Sequence, residues 1–551
     1  MMKVRSSMGV FLFIAAAAAL AALPPQLMAP SGHWVYDALA ELSAEDRRVF
    51  FDDSMVTVEQ VSRFLDEIDP AVLSDNGRET YDALGRWITS SAGVGINSDI
   101  MTLNLDAEAN PEFYYKSSED VPWIYNYHER NPLLLFRLTM GMGDYLAAEA
   151  DPYLGQNEKS AERHDVRVNV PYEPVAQFDI HFPSRAYLSA GAALGKASGV
   201  NFAIGLGDDF MGRTETGSII LSEYLKRVTY AQLTLYSPLL KYTAEVSQLE
   251  VNKYQYMHYI TVRPFKIFSI TLSEGVMVNA PLELRFLNPF TIFHSHEAYK
   301  TYGGYNKDLG HSKSDSDADD YYEKYGGSRI GSFFGMKVEL RPIRSLRLYG
   351  LFAMNQFQLG IEKSEWDDLA PNAMAFQAGT ELTFPFRRGY LNLGLEGVYT
   401  QPYMYVLWDK KWSFYKEAYE VDNTTVRYWT GSPFGPDTIA GTVWAGYSER
   451  ERFSLKASFT LAAQGKRSGL EIFDTDAYRP THAVYDVTRP PTGIPQYTFT
   501  GRLSASVSPL RWLTLSLNPG YRYVVNSGHD PEKNAGGFEA AFSARARPFS
   551  K

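Results

Sequence analysis

The sequence predicts an all-β fold, a transmembrane antiparallel β-barrel of 16 to 18 strands with a small N-terminal helical segment. Three observations carry this expectation. From about Gly93 the hydrophobic pattern has a period of two: Leu391, Leu393, Leu395 and Tyr399 alternate with Asn392, Gly394, Glu396 and Thr400. The longer runs extend over about nine to eleven residues, enough to cross a bilayer as a tilted strand and well beyond the usual soluble strand of about five or six. Aromatic residues make up 14% of the chain and glycines number 42, a composition suited to membrane girdles and tight turns.

The same alternation recurs along the chain. Phe268, Ile270 and Leu272 are interleaved with Ser269, Thr271 and Ser273. Phe453, Leu455, Ala457, Phe459 and Leu461 alternate with Ser454, Lys456, Ser458 and Thr460. Phe499, Gly501, Leu503, Ala505 and Val507 alternate with Thr500, Arg502, Ser504 and Ser506. One face suits hydrocarbon and the other a wet lumen, and lipid contact forces closure because an open edge leaves amides unpaired. Short breaks at Arg263-Pro264-Phe265, at 341–345 and at 508–511 are expected on the periplasmic side, with longer polar excursions outside. No period of 40 to 50 residues is visible, which weakens a propeller.

Upstream of the β region, Lys3 and Arg5 precede an apolar run from Val10 to Leu23, broken by Pro24 and Pro25. About 14 apolar residues fall short of the roughly 20 that span a bilayer as a helix, so residues 1–29 read as a secretory signal peptide with cleavage near Ala29. Residues 30–92 read as a small acidic helical unit, periplasmic or a plug, and 93–551 as the barrel. Within 31–90 there are 13 acidic and 5 basic residues. Thr57 and Gln60 form a capping-box pattern before Val61, Phe64 and Leu65. Ser43 is expected to cap a short turn, and Asn76-Gly77 to precede a helix carrying Tyr81, Leu84 and Trp87.

The composition excludes several function classes. Cysteine is absent, so thiolate metal sites, disulfides and thiol nucleophiles are out. A net charge of −11 argues against a general nucleic-acid binder. G-x-S-x-G, H-E-x-x-H and P-loop motifs are absent, and no serine–histidine pairing is selected, so no enzymatic activity and no cofactor are expected. His294 and His296 lack a visible third ligand, so no metal site is expected. In the long polar stretch His294–Ser328, Asp315, Asp317 and Asp319 resemble the opening of a calcium loop, but Asp320 and Gly326 occupy positions that need Gly and Glu. Tyr302, Tyr305, Asp315 and Asp317 there suit contacts to sugar faces and hydroxyls. Trp408 and Trp412, beside Lys410 and Lys411, suit a membrane girdle or the anionic groups of a lipopolysaccharide-like glycolipid.

Two segments carry a family resemblance. Gly205–Arg213 followed by Gly217–Ser222, together with Leu284-Arg-Phe-Leu-Asn-Pro-Phe290, resembles parts of the Wzi-like family of capsule-assembly outer-membrane proteins. The order of signal peptide, small helical segment and even-stranded barrel is similar too. The resemblance implies a monomeric outer-membrane barrel with a narrow or plugged lumen that helps hold surface polysaccharide. It places Arg213 and Glu215 toward the lumen near a turn, and gives Arg285 and Asn288 an inner-wall role. Thr214, Glu215 and Thr216 depart from the family pattern in that turn. Two alternatives stay open: a porin-like channel for small polar solutes, and a structural or adhesion protein of the surface.

Overall fold

A computed structural model describes residues 22–90, 93–98, 100–126, 129–156, 167–169, 178–179, 185–293, 329–356, 372–407, 413–421, 424–467 and 489–549. Eighteen antiparallel strands close a barrel. The first, β1, runs Met101–Ala109 and continues as Glu112–Lys116; β2 is Leu134–Met142; β3 is Leu146–Ala150 continued by Tyr153–Gln156. Then follow β4 (Ala186–Ala193), β5 (Gly199–Gly207), β6 (Val228–Tyr236), β7 (Leu240–Glu250), β8 (Lys253–Phe265) and β9 (Phe268–Asn279). The far wall holds β10 (Arg329–Leu340), β11 (Leu346–Gln356), β12 (Ala373–Phe386), β13 (Gly389–Thr400) and β14 (Thr438–Glu449). The last four are β15 (Phe453–Gln464), β16 (Gln496–Leu510), β17 (Leu513–Val525) and β18 (Asn534–Ala546). Closure is made by β18 on β1, with Glu539 opposite Lys116 and Ser543 opposite Glu112.

Alternation explains this closure. Phe202, Leu272, Phe376, Leu395, Phe459, Leu503 and Phe542 project outward and are exposed, as lipid-facing side chains must be. Thr243, Glu245, Lys337, Glu339, Glu381 and Glu396 occupy the intervening inward positions and are buried. All eight connections at one end are short, at 143–145, 194–198, 237–239, 266–267, 341–345, 387–388, 450–452 and 511–512. Most connections at the other end are long. After β13, residues 401–407 leave the wall as coil and turn into the barrel.

Three helices, α1 (Trp34–Asp46), α2 (Val58–Asp66) and α3 (Asp75–Thr89), pack at the short-turn end. The Thr57–Gln60 capping box is complete. Ser43 lies inside α1, whose helix continues because Ala38, Leu39 and Leu42 bury one face. Asn76 and Gly77 lie inside α3, since Ser74 caps it by accepting from the Gly77 N–H. The unit is tied to the short turns themselves. Val49 N–H donates to Lys266 O at 2.7 Å, Ser345 N–H to Ala44 O at 3.1 Å, and Asn76 Nδ2 to Gly389 O at 2.7 Å.

Candidate functional site

The lumen is built by three chain segments that fold inward from the long-loop end. Residues 208–227, between β5 and β6, bury Met211, Ile219, Ile220, Leu221 and Leu225 against Tyr259, Met277, Phe333 and Tyr349 of the wall. Residues 401–407 and 413–421 add Met404, Tyr405, Leu407 and Phe414 to this cluster. Residues 117–126 bury Val121, Trp123, Ile124 and Tyr125 beside β18.

Polar wall residues hold these segments by their backbones. Glu396 accepts from the N–H groups of Glu215 and Thr216 at 3.0 Å each, and from the Tyr349 hydroxyl at 2.5 Å. Gln377 accepts from Ile219 N–H at 3.1 Å and donates to Gly217 O at 3.1 Å. Tyr405 donates to Ile219 O at 2.7 Å and accepts from Ser432 N–H at 3.0 Å, which locks two inward segments together. Glu539 accepts from Ile124 N–H at 2.7 Å and from Tyr125 N–H. A carboxylate that takes two N–H donors satisfies irregular backbone that has left the sheet.

The filling is lopsided. Inward residues of β6 to β13 are mostly buried under the inserted segments, whereas those of β15 to β17 stay open to water. Ser458, Thr460, Thr500, Ser504, Ser506, Thr514, Ser516 and Asn518 line that side, half-buried. Cations climb across it: Lys456 on β15, Arg502 on β16 and Arg522 on β17, each one inward position above the last by the strand register. Acids on the inserted segments face them. Glu215 meets Lys456 at 2.6 Å and Glu129 meets Arg502 at 2.6 Å. The Lys456 side chain is 48% exposed even so.

Two acids of the 208–227 segment titrate unusually. Burial pushes the Glu223 carboxyl up to about 7; its own backbone N–H and Lys226 pull it down, while Glu396 and Glu215 push it further up. Burial also raises Glu215, against the pull of Lys456. Glu223 Oε2 is enclosed without a hydrogen-bond partner. The cations of this side are thus met by acids at contact distance, beside a hydrated row of Ser and Thr.

The structure brings Arg213 and Glu215 into the lumen, on the 208–227 segment. Arg213 pairs with Asp37 at 3.2 Å, and its N–H donates to Asp52 Oδ2 at 3.0 Å. Arg285 and Asn288 do not line the inner wall. Residues 284–287 form a single 3-10 turn that lies with Asn288 on the outer face of β7 and β8, because Phe286 packs on outward-facing Tyr256. The Arg285 side chain, Tyr302, Tyr305, Asp315, Asp317, Trp408, Trp412 and the His294–His296 pair lie outside the described residues. Lys456 and Arg502 stand on the polar face of their alternating runs. Their strand period is the signal that could have selected them, but Glu129 and Glu223 had none.

No protein-family model matches this chain, and no curated protein sequence does. Solved structures do resemble it. The Escherichia coli protein Wzi, described as an outer-membrane protein involved in group 1 capsule assembly and a carbohydrate-binding β-barrel, aligns with a TM-score of 0.58 and 12% identity, covering 95% of this chain and all of that one. The outer-membrane channel DcaP of Acinetobacter baumannii aligns at 0.35 and 10% identity over 83% of this chain and all of its own. OprD of Pseudomonas aeruginosa aligns at 0.40 and 10% identity over 81% of this chain and 95% of its own. The strand order and the likeness to Wzi show one fold, a transmembrane antiparallel β-barrel of 18 strands.

Proposed function

We propose that this barrel passes small polar solutes along the wet side of its lumen, past the Ser and Thr side chains of β15–β17. The carrying observation is the lopsided interior: one wall is sealed by buried loops, while Lys456, Arg502, Arg522 and a field of Ser and Thr remain in contact with water. A wholly plugged structural barrel has no need of a hydrated inner wall. Planar-bilayer recording tests the reading. Discrete conductance steps that shrink when Ser504→Trp or Ser458→Trp narrows the wet side are expected, and a closed trace from correctly folded protein rejects it.

A second reading, retention of surface polysaccharide, is favoured by one observation. The likeness to the carbohydrate-binding barrel Wzi spans that protein's full length. Calorimetry with purified acidic capsular polysaccharide separates the two readings: measurable binding by a non-conducting barrel favours retention.

A further inference from the structure

The short turns are not alike around the ring. Those at 341–345, 387–388, 450–452 and 511–512 join β10 to β17 pair by pair, and they hold seven arginines against one acid, Glu451. Those at 143–145, 194–198, 237–239 and 266–267 hold only Lys196 and Lys266 against Asp144. The whole chain carries a net charge of −11, so composition does not account for the basic arc. Two of its arginines are spent inside: Arg341 lies 3.3 Å from Glu339, and Arg450 pairs with Glu41. Arg344, Arg387, Arg388, Arg452 and Arg511 are exposed, and the first four make no ion pair among the described residues.

These arginines stand level with a row of rings. Phe386, Tyr447 and Phe453 occupy outward positions, in phase with the lipid-facing Leu382, Val443 and Leu455. Their rings follow one another with centroids 6.0 Å and 6.4 Å apart. The Arg387 guanidinium lies over the Phe386 ring at 5.4 Å, so it is turned to this outward row and not to the helical unit. One acid stands in the row, Glu449, which accepts from the Tyr447 hydroxyl at 2.7 Å. Ile343 beside Arg344, and Leu510 and Trp512 beside Arg511, add exposed apolar side chains along the arc. Rings at the ends of barrel strands mark the boundary between hydrocarbon and headgroups. A guanidinium held beside such a ring is level with lipid phosphates, and its fork of donors takes a phosphate two oxygens at a time.

The spacing of the arc selects the sign of its partner. Successive hairpins place their turns about 10 Å apart, close to one Debye length at physiological salt, so the arginines repel one another. An anion between them relieves that repulsion. A zwitterionic headgroup brings an ammonium along with its phosphate and restores part of it, whereas a phosphodiester headgroup without an amine does not. The rings complete the recognition, because they pack against the apolar body of a lipid whose phosphate the arginines hold. A soluble phosphate ester would engage the arginines alone.

We propose that the arc of short turns from β10 to β17 binds anionic phospholipid of the adjoining leaflet and selects headgroups of the phosphatidylglycerol kind over zwitterionic ones. Full-length protein is placed in nanodiscs of mixed phosphatidylethanolamine and phosphatidylglycerol, and the lipids it retains on release are counted by native mass spectrometry. The expected result is a severalfold enrichment of phosphatidylglycerol over its share in the disc. Arg387→Gln, Arg388→Gln and Arg452→Gln together should return the retained lipid to the bulk ratio, whereas Lys196→Gln with Lys266→Gln on the other arc should leave the enrichment in place. Retention at the bulk ratio by the unaltered protein, or enrichment that survives the three arginine substitutions, would overturn the proposal. Equal loss in both variants would overturn the arc as the place of binding. The unaltered protein supplies a check free of any folding defect: enrichment should fall as salt is raised, and enrichment indifferent to salt is not carried by the arginines. Glycerol phosphate in solution should fail to displace the retained lipid, and displacement at matched phosphate would overturn a lipid as the occupant.

Discussion

Asp53 Oδ1 lies 2.9 Å from Lys241 Nζ, and each side chain is only 1% exposed. The acid belongs to the segment between α1 and α2, and the base to the inner face of β7. The Thr261 hydroxyl donates to the other Asp53 oxygen at 2.8 Å. The neighbouring Asp52 accepts from Lys337 and lies 3.4 Å from Arg347, both on the inner wall. The acidic excess of the N-terminal unit is therefore spent on the barrel's inner wall, where adjacent aspartates engage three wall cations.

Removing one partner of such a buried pair strands the other. Asp53→Ala is expected to cost about 3–5 kcal/mol. It should lower the melting temperature in detergent and expose Arg47, Arg48 and Arg63 to trypsin. Asp53→Leu combined with Lys241→Met removes both charges and should recover most of the loss. If the double variant is as unstable as the single, the ion pair is not what holds the unit.

Docking of the same unit depends on pH through Glu41. Burial lifts its carboxyl to about 7, against the opposing pull of Arg450, with Asp37 pushing further up and the Thr80 hydroxyl pulling down. An acid whose value is raised from 4.5 takes up a proton as it docks. That contribution is fully present below the ordinary value and is lost as pH rises to about 7. Tryptic release of the N-terminal unit should therefore be faster at pH 8 than at pH 5.5. Glu41→Gln should hold the low-pH rate at both values, because an amide still accepts from the Thr80 hydroxyl, which sits 3.0 Å away.

Glu223 supplies the corresponding expectation for conduction. Its value of about 7 means that the inserted 208–227 segment gains negative charge as pH rises through neutrality. Reversal potentials in a salt gradient should shift toward cation preference between pH 6 and pH 8, and Glu223→Gln should flatten the shift. Lys456→Glu should move selectivity the same way at every pH, since it removes a cation that faces Glu215 across 2.6 Å. Potentials that ignore both substitutions would place the permeation path elsewhere.

Processing of the leader is open to a mass measurement. Gln26, Met28 and Ala29 are buried, Met28 pairs with Thr57 across a two-residue ladder, and Gln26 bonds Glu59 at 3.0 Å and accepts from Asn201 at 2.9 Å. A cut at Ala29 would delete these contacts. The intact mass of the extracted protein should place the mature start upstream of Pro24, in the alanine-rich stretch. A start after Ala29 would show that the barrel tolerates an empty slot beside Asn201.

Much of the wall was legible in advance, because strand periodicity is local. The runs at Phe268, Leu391, Phe453 and Phe499 each carry their lipid face in their own residues, and the structure places them in β9, β13, β15 and β16. The residues of the lumen were legible only in part. Lys456 and Arg502 stand at inward positions by simple alternation. Glu129 and Glu223 sit in segments without periodicity, and their positions follow from where Glu539, Glu396 and Gln377 catch the backbone. The expected inner-wall role of Arg285 and Asn288 failed for a related reason. A loop after a strand can turn inward or outward, and the choice was made by Tyr242, Tyr256 and His258, which lie some 30 to 50 residues earlier.

By itself, then, the sequence determined that this chain is a closed barrel with an oily exterior and a polar interior, because side-chain alternation and the cost of unpaired amides in lipid act residue by residue. Only the tertiary structure decided which loops fill that interior, which wall stays wet, and that an acidic helical unit closes the short-turn end. Those outcomes depend on ion pairs and hydrogen bonds between residues hundreds of positions apart, such as Asp52 with Lys337 and Thr216 with Glu396, and no local pattern announces such partners.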